Sequence, residues 1–224
     1  MEVLDLNYNE LGIQAIQEEN YEKAAEWFNK AIEENPEESI GFINFGNLLA
    51  SMNENERAER FFQKAITLDE KAATAFYSLA NLYYNTERFE EAAKLYEKAI
   101  TNGIEGPDAY FMLGKSFQKI DQTKLALPYL QRAYELDETQ DIQIKLTYGI
   151  ALASLEMFEV AEPIFKEILE LDPENADAHY NMGVLYAVST SDTESALKHL
   201  KAAFTIQPNY DQARYVYDMI SLRN

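Results

Sequence analysis

Apolar residues in this chain recur at i, i+3, i+4 and i+7, the spacing of one face of a helix. In ATAFYSLANLYYN that set is Phe76, Leu79, Ala80 and Tyr83. The polar break TERF follows. Phe89, Ala92, Ala93, Tyr96, Ala99 and Ile100 then repeat the spacing. Residues 73–106 therefore predict helix, turn, helix, with Asn102-Gly103 as a left-handed stop to the second helix.

The same pattern returns along the chain. Gly12, Gly46, Ala80, Gly114, Gly149 and Gly183 are spaced by 34, 34, 34, 35 and 34 residues. Ala24, Ala58, Ala92, Ala126, Ala161 and Ala196 form a second row, and Ala31, Ala65, Ala99, Ala133, Ile168 and Ala203 a third. Three rows at one period predict a single hairpin used repeatedly, each copy burying its apolar stripe against a neighbour. The units fall at 5–38, 39–72, 73–106, 107–140, 142–175 and 176–210 of one array. One extra residue lies near Asp141 and another within Ser189–Thr193, both at turns. Residues 211–224 begin like a seventh first helix, but Asp218 stands at the small-residue position. They predict a capping helix. Small residues such as Ala80 and Ala92 let the paired helices approach. Pro128 and Pro163 are expected about one turn into a second helix, where the missing N–H costs little.

The composition supports a helical chain. Only 8 Gly and 6 Pro among 224 residues argue against an all-β fold. There is no Cys, which excludes disulfides and thiolate zinc sites and suits a reducing compartment. MEVLDLNYNELGIQ has no apolar run long enough for a signal peptide, and no stretch approaches the roughly 18 apolar residues of a membrane span. A monomeric cytoplasmic protein is the expectation. The net charge of −20 opposes broad contact with nucleic acid or anionic membrane.

Candidate chemistry is sparse. AYFMLGKS (109–116) approaches a phosphate-binding loop, but Ala109 replaces its first Gly, and Leu113-Gly114 belong to the repeat rows. His179 and His199 have no clustered ligand set, so packing or surface positions are expected for both. No catalytic constellation, metal site or cofactor site is read from the chain, and it is not expected to be an enzyme.

The rows resemble the tetratricopeptide repeat family, whose motif runs W-x-x-L-G-x-x-Y, then Ala, an aromatic, Ala and Pro. The first unit gives Tyr8, Leu11-Gly12, Ala15, Ala24, Phe28, Ala31 and Pro36. The last gives His179, Met182-Gly183, Tyr186, Ala196, Leu200, Ala203 and Pro208. Glu70, Ile104 and Glu138 replace the final Pro in three units. The resemblance implies an all-α, right-handed superhelical solenoid of six helix-turn-helix units plus the C-terminal capping helix. It also implies a concave groove lined by the first helices, which binds other proteins or peptides. The groove positions implied are Ile43, Asn44, Asn47, Tyr77, Asn81, Tyr84, Asn85, Phe111, Lys115, Gln118, Lys119, Tyr180 and Asn181. Charges at groove positions are Glu10, Asp108, Asp177, Lys115 and Lys119, nearly balanced in a chain of −20. That balance favours an adaptor whose amides meet the backbone of an extended segment while its aromatics meet apolar side chains. A regulatory peptide receptor, and an accessory subunit docking through an acidic convex face, are the alternatives. The family's carboxylate clamp would need Lys, Asn and Arg where Asn9, Ile13, Asn44, Thr74 and Ser78 stand. Only Asn44 fits, so that role is rejected. FINFGNLLASMNENERAERFFQKAI and LALPYLQRAYEL are similar to small stand-alone members in low-GC Gram-positive bacteria. This similarity implies partners among tRNA-thiolation proteins, RNA-processing enzymes and aminoacyl-tRNA synthetases.

Overall fold

The computed structural model describes residues 7–190 and 192–222. The start of the first predicted repeat (Asp5 and Leu6), Ser191 in the second predicted insertion, and the final two residues of the tail lie outside the described residues. Among the described residues every regular element is a helix. The chain divides into two compact units, Met1–Ile120 and Asp121–Asn224, with the boundary inside the fourth predicted repeat.

The first unit contains α1 (Tyr8–Gln17), α2 (Tyr21–Glu34), α3 (Ser39–Ser51), α4 (Asn55–Leu68), α5 (Ala73–Asn85), α6 (Phe89–Thr101) and α7 (Pro107–Lys119). Helices pack as hairpins, α1 with α2, α3 with α4 and α5 with α6, and each second helix also packs on the next first helix. The second unit contains α8 (Thr123–Leu136), α9 (Ile142–Ser154), α10 (Phe158–Leu171), α11 (Ala176–Leu185), a π-helical turn (Tyr186–Thr190), α12 (Thr193–Ile206) and α13 (Asp211–Ser221). Its helices follow the same succession of contacts.

The small-residue row has a specific cause. Phe28, Phe62, Tyr96, Leu130, Phe165 and Leu200 are at most 1% exposed, one per repeat at the same position of the second helix. Each of the described glycine contacts in this row faces one of them. A Cβ added to Gly46 would lie 2.6 Å from the Phe62 ring, and one on Gly12 would run into the Phe28 ring. The first helix thus keeps a notch for a large side chain of the second, and burying a Phe there contributes about 2–3 kcal/mol.

The turns that follow the first helices are equally regular. Glu19, Asn53, Glu87, Asp121 and Glu156 are left-handed, with φ from 57° to 62°. At Glu87 the closing bonds run from Glu87 N–H to the Tyr84 carbonyl (3.1 Å) and from Arg88 N–H to the Tyr83 carbonyl (2.8 Å), a Schellman closure. A non-glycine residue in this region costs about 1 kcal/mol. Four of the five are acids placed two residues before the next helix, whose positive N-terminus favours a negative charge. The Asn102-Gly103 stop forms as expected, with Gly103 at φ 100° and Ile104 N–H bonded to the Ala99 carbonyl (3.0 Å).

Both insertions are absorbed locally. After α8 the buried carboxylate of Asp137 accepts from the Thr139 N–H (2.9 Å), the Thr139 hydroxyl (2.6 Å) and the Asp141 N–H (2.6 Å), which shapes the longer loop. Burial alone would raise the Asp137 pKa; those bonds and the nearby Lys145 outweigh it and hold the pKa below its usual value. In the sixth repeat the left-handed turn gives way to the wider π-helical turn. Pro128 and Pro163 need a correction. Each stands five residues after the first residue of its helix, α8 or α10, deeper than the unpartnered first turn. Both helices nonetheless continue. The prolines are exposed, so the Lys124 and Glu159 carbonyls four residues earlier lose their donors on a solvated side.

Helix α13 seats Ala213 against Leu200 and Ala203, with Phe204, Val216, Tyr217 and Ile220 around them. Asp218 is exposed.

Candidate functional site

The four first helices of the first unit, α1, α3, α5 and α7, carry most of the groove positions. Asn44 is half-buried, and its Nδ2 donates to Oδ1 of Asn9 at 2.9 Å, tying α3 to α1. Asn47, one turn further on, is exposed, and its side chain makes no hydrogen bond among the described residues. Asn81 accepts a 2.6 Å bond from the Tyr96 hydroxyl, which rises from the core of α6. The ring of Tyr77 stands edge-on to that of Tyr96, centroids 5.7 Å apart.

Further along, Tyr84 packs edge-on to Phe89 at 5.2 Å. Lys115 holds its ammonium 5.5 Å from the Tyr84 ring centre and 5.0 Å from that of Phe111. Lys119 lies one turn on, 5.9 Å from the Phe89 ring centre. Asn85 and Lys119 are exposed; Phe111 and Gln118 are half-buried. Burial holds the Tyr77 hydroxyl above its ordinary pKa against a hydrogen bond with Asn81, and Asp108 adds to the rise. Burial also raises Tyr84. Burial raises Tyr96 too, helped by its tyrosine neighbours. These phenols therefore stay protonated at neutral pH, and the face keeps its apolar and amide character.

One position is corrected. Ile43 is 4% exposed and packs with Ala65, Ala72 and Ala75, so it belongs to the core and presents nothing to a ligand. Tyr77 and Phe111 occupy the same repeat position, but their longer side chains remain half-exposed.

In the second unit, Tyr180 is packed against Tyr210 at 5.1 Å, and the Tyr210 hydroxyl donates to Asp177 at 2.8 Å. Asn181 donates to the Asp177 carbonyl at 2.8 Å. Tyr180 and Asn181 are thus largely spent on local packing.

The two histidines do meet. Their Nδ1 atoms are 2.9 Å apart, and His179 Nε2 lies 3.1 Å from the Pro173 carbonyl. Which nitrogen of each ring donates depends on the tautomer. The pair occupies the interhelix slot filled by Tyr8 with Trp27 and by Phe42 with Phe61, whose centroids are 5.5 and 6.0 Å apart. It is a packing pair. Among the described residues no group of three His, Cys, Asp or Glu side chains is placed to hold a metal. Among them, too, no helix is long and apolar enough to cross a membrane.

Sequence reasoning omitted Phe89 from the face because it belongs to a second helix. The signal for Phe89 was its place at the hairpin turn, from which its ring folds back onto Tyr84.

Comparison with known proteins gives a consistent result. Models of the tetratricopeptide repeat match residues 6–38, 43–110, 107–140 and 164–198. The TPR repeat-containing protein YrrB of Bacillus subtilis is 66% identical over 41 residues, 18% of this chain and 20% of that protein. The anaphase-promoting complex subunit CDC16 of Saccharomyces cerevisiae is 28% identical over 106 residues, 45% of this chain and 12% of that protein. The aligned stretches thus span a fifth or less of these curated relatives. The crystal structure of YrrB, described as a TPR protein with an unusual peptide-binding site, matches with a TM-score of 0.82 and 46% identity, covering 87% of this chain and 99% of that one. Pseudomonas aeruginosa PilF matches with a TM-score of 0.76 at 18% identity, covering 97% of this chain and 96% of that one, a likeness of fold alone.

Proposed function

Because the chain belongs to the tetratricopeptide repeat family, we propose that it is a non-catalytic adaptor, working as a cytoplasmic monomer, that binds extended protein segments on its first-helix face. One observation carries the reading. Exposed Asn47 and Asn85 alternate with half-exposed Tyr77, Tyr84 and Phe111 on neighbouring first helices. Amides of this kind satisfy the backbone of an extended chain, and rings at one-repeat intervals receive its apolar side chains. The peptide-binding site described for YrrB, 46% identical over most of this chain, supports the same use. In this reading the six repeats and the helix α13 work as one array with the face as its concave groove, and α13 caps the last repeat. Partners among tRNA-thiolation and RNA-processing proteins, implied by the resemblance noted above, are the first to test.

The experiment is a fluorescence-anisotropy titration of labelled partner segments against wild type and an Asn47→Ala/Tyr84→Ala double variant. Losing one aromatic contact to an apolar side chain and one amide pair should weaken binding at least tenfold, about 1.4 kcal/mol or more. Unaltered affinity in a folded double variant, with strong dependence on salt, would instead favour docking through the acidic outer helices.

A further inference from the structure

The first helices of the first unit hold four charged residues: Glu10, Asp108, Lys115 and Lys119. Both cations are on α7, one turn apart and on the same side. Lys115 occupies the repeat position of Asn47 and Asn81, 34 residues after the latter. Some cations are answered by acids: Arg88 meets Glu59 and Glu91, Lys145 meets Glu167, and Lys166 meets Glu162. Others, such as Lys30, Lys64 and Lys98, lie over rings of their own hairpins, on second helices. Among the described residues Lys115 and Lys119 have no carboxylate within ion-pair distance. They lie against Tyr84, Phe111 and Phe89. A ring face positions an ammonium group without neutralising it. Asp108 is seven residues before Lys115, about 10 Å along the helix, roughly a Debye length at physiological salt.

Resting on the reading of this face as a peptide groove, we propose that its ligand is an extended segment with an internal acidic residue, Asp or Glu, seated on Lys115 and Lys119. Its neighbouring apolar side chain lies on the shelf of Tyr84, Phe89 and Phe111. The overall charge of −20 would suggest a basic ligand. At physiological salt, however, distant acids are screened, and the two adjacent ammonium groups decide the local preference. A carboxylate brought to them forms charge-assisted hydrogen bonds with donors already held in place.

The test uses an array of ten-residue peptides, N-acetylated and C-amidated so that only side chains carry charge. Enrichment of Asp or Glu at one position next to an aliphatic or aromatic residue supports the proposal. For the best such peptide, Lys115→Met/Lys119→Met should weaken binding about tenfold, while affinity for its Asn or Gln counterpart changes less than twofold. Enrichment without acids, or acid preference that survives in the folded double variant, overturns the proposal and leaves peptide binding standing. A second array with free C-termini separates the carboxylate sources; acid preference confined to the terminal carboxylate overturns the internal assignment. Failure to enrich any peptide overturns the groove reading and this inference with it.

Discussion

Gly46→Ala should destabilise the protein even though Ala is the better helix former. The substitution gains about 1 kcal/mol of helix propensity. Its Cβ would sit 2.6, 2.8 and 3.1 Å from three atoms of the Phe62 ring, well inside the ~3.5–4.0 Å of a comfortable carbon contact. Phe62 is 0% exposed, so the ring has nowhere to retreat without moving α4. Overpacking of this kind costs about 1–3 kcal/mol, which leaves a net loss of about 1 kcal/mol. Phe62→Ala alone should cost about 3–5 kcal/mol. With the ring gone, Gly46→Ala should become stabilising by about 1 kcal/mol, its propensity gain alone. The assay is a double-mutant cycle by urea unfolding, followed by circular dichroism. A sign reversal between the two backgrounds is the expected result. If Gly46→Ala stabilises equally in both, the glycine row is not there to admit the ring.

Two further outcomes follow from the second unit. Burial first, then the charges of His179 and Lys198, push the His199 pKa down to about 4. The folded state therefore refuses a proton that the unfolded chain accepts near its usual pKa of ~6.5. Stability is fully present above that pH and falls as pH drops from ~6.5 toward ~4, by about 1–2 kcal/mol once solvent screening of this half-exposed ring is allowed for. His199→Phe should flatten this decline between pH 7 and 5, and an identical slope in the variant would contradict it. Lys145 is a second test. Its side chain is 4% exposed, its Nζ lies 2.8 Å from Glu167, and its ammonium stands 4.8 Å from the Tyr134 ring centre. Glu167→Gln should cost about 1–3 kcal/mol by leaving that ammonium without its carboxylate, and adding Lys145→Met should recover most of the loss in chemical denaturation.

The helices and the hairpin repeat were legible in the sequence because a fixed period constrains every copy at once. Gly46, Ala58 and Ala65 each belong to a row, and a row has one structural meaning. The face was legible only in part. Ile43 shares its position with Tyr77 and Phe111, yet Ala72 and Ala75 enclose its short side chain. Burial there depends on side-chain length, which periodicity does not encode. Asn44 and Asn81 bond to Asn9 and Tyr96. Such pairings depend on rotamers across neighbouring helices. The histidine pair could have been found by aligning His179 with Tyr8 and Phe42, and His199 with Trp27 and Phe61. The π-helical turn and the depth of Pro128 and Pro163 had no comparable signal, because a one-residue shift decides each.

The central claim concerns which helices meet the ligand. Amide hydrogen exchange, with and without a saturating peptide selected from the array, reads this directly. Binding on the first-helix face predicts added protection in α3, α5 and α7 around Asn47, Tyr84 and Lys115, with α4 and α6 little changed on their outer sides. Protection confined to those outer sides, with α3, α5 and α7 unaffected, would contradict it.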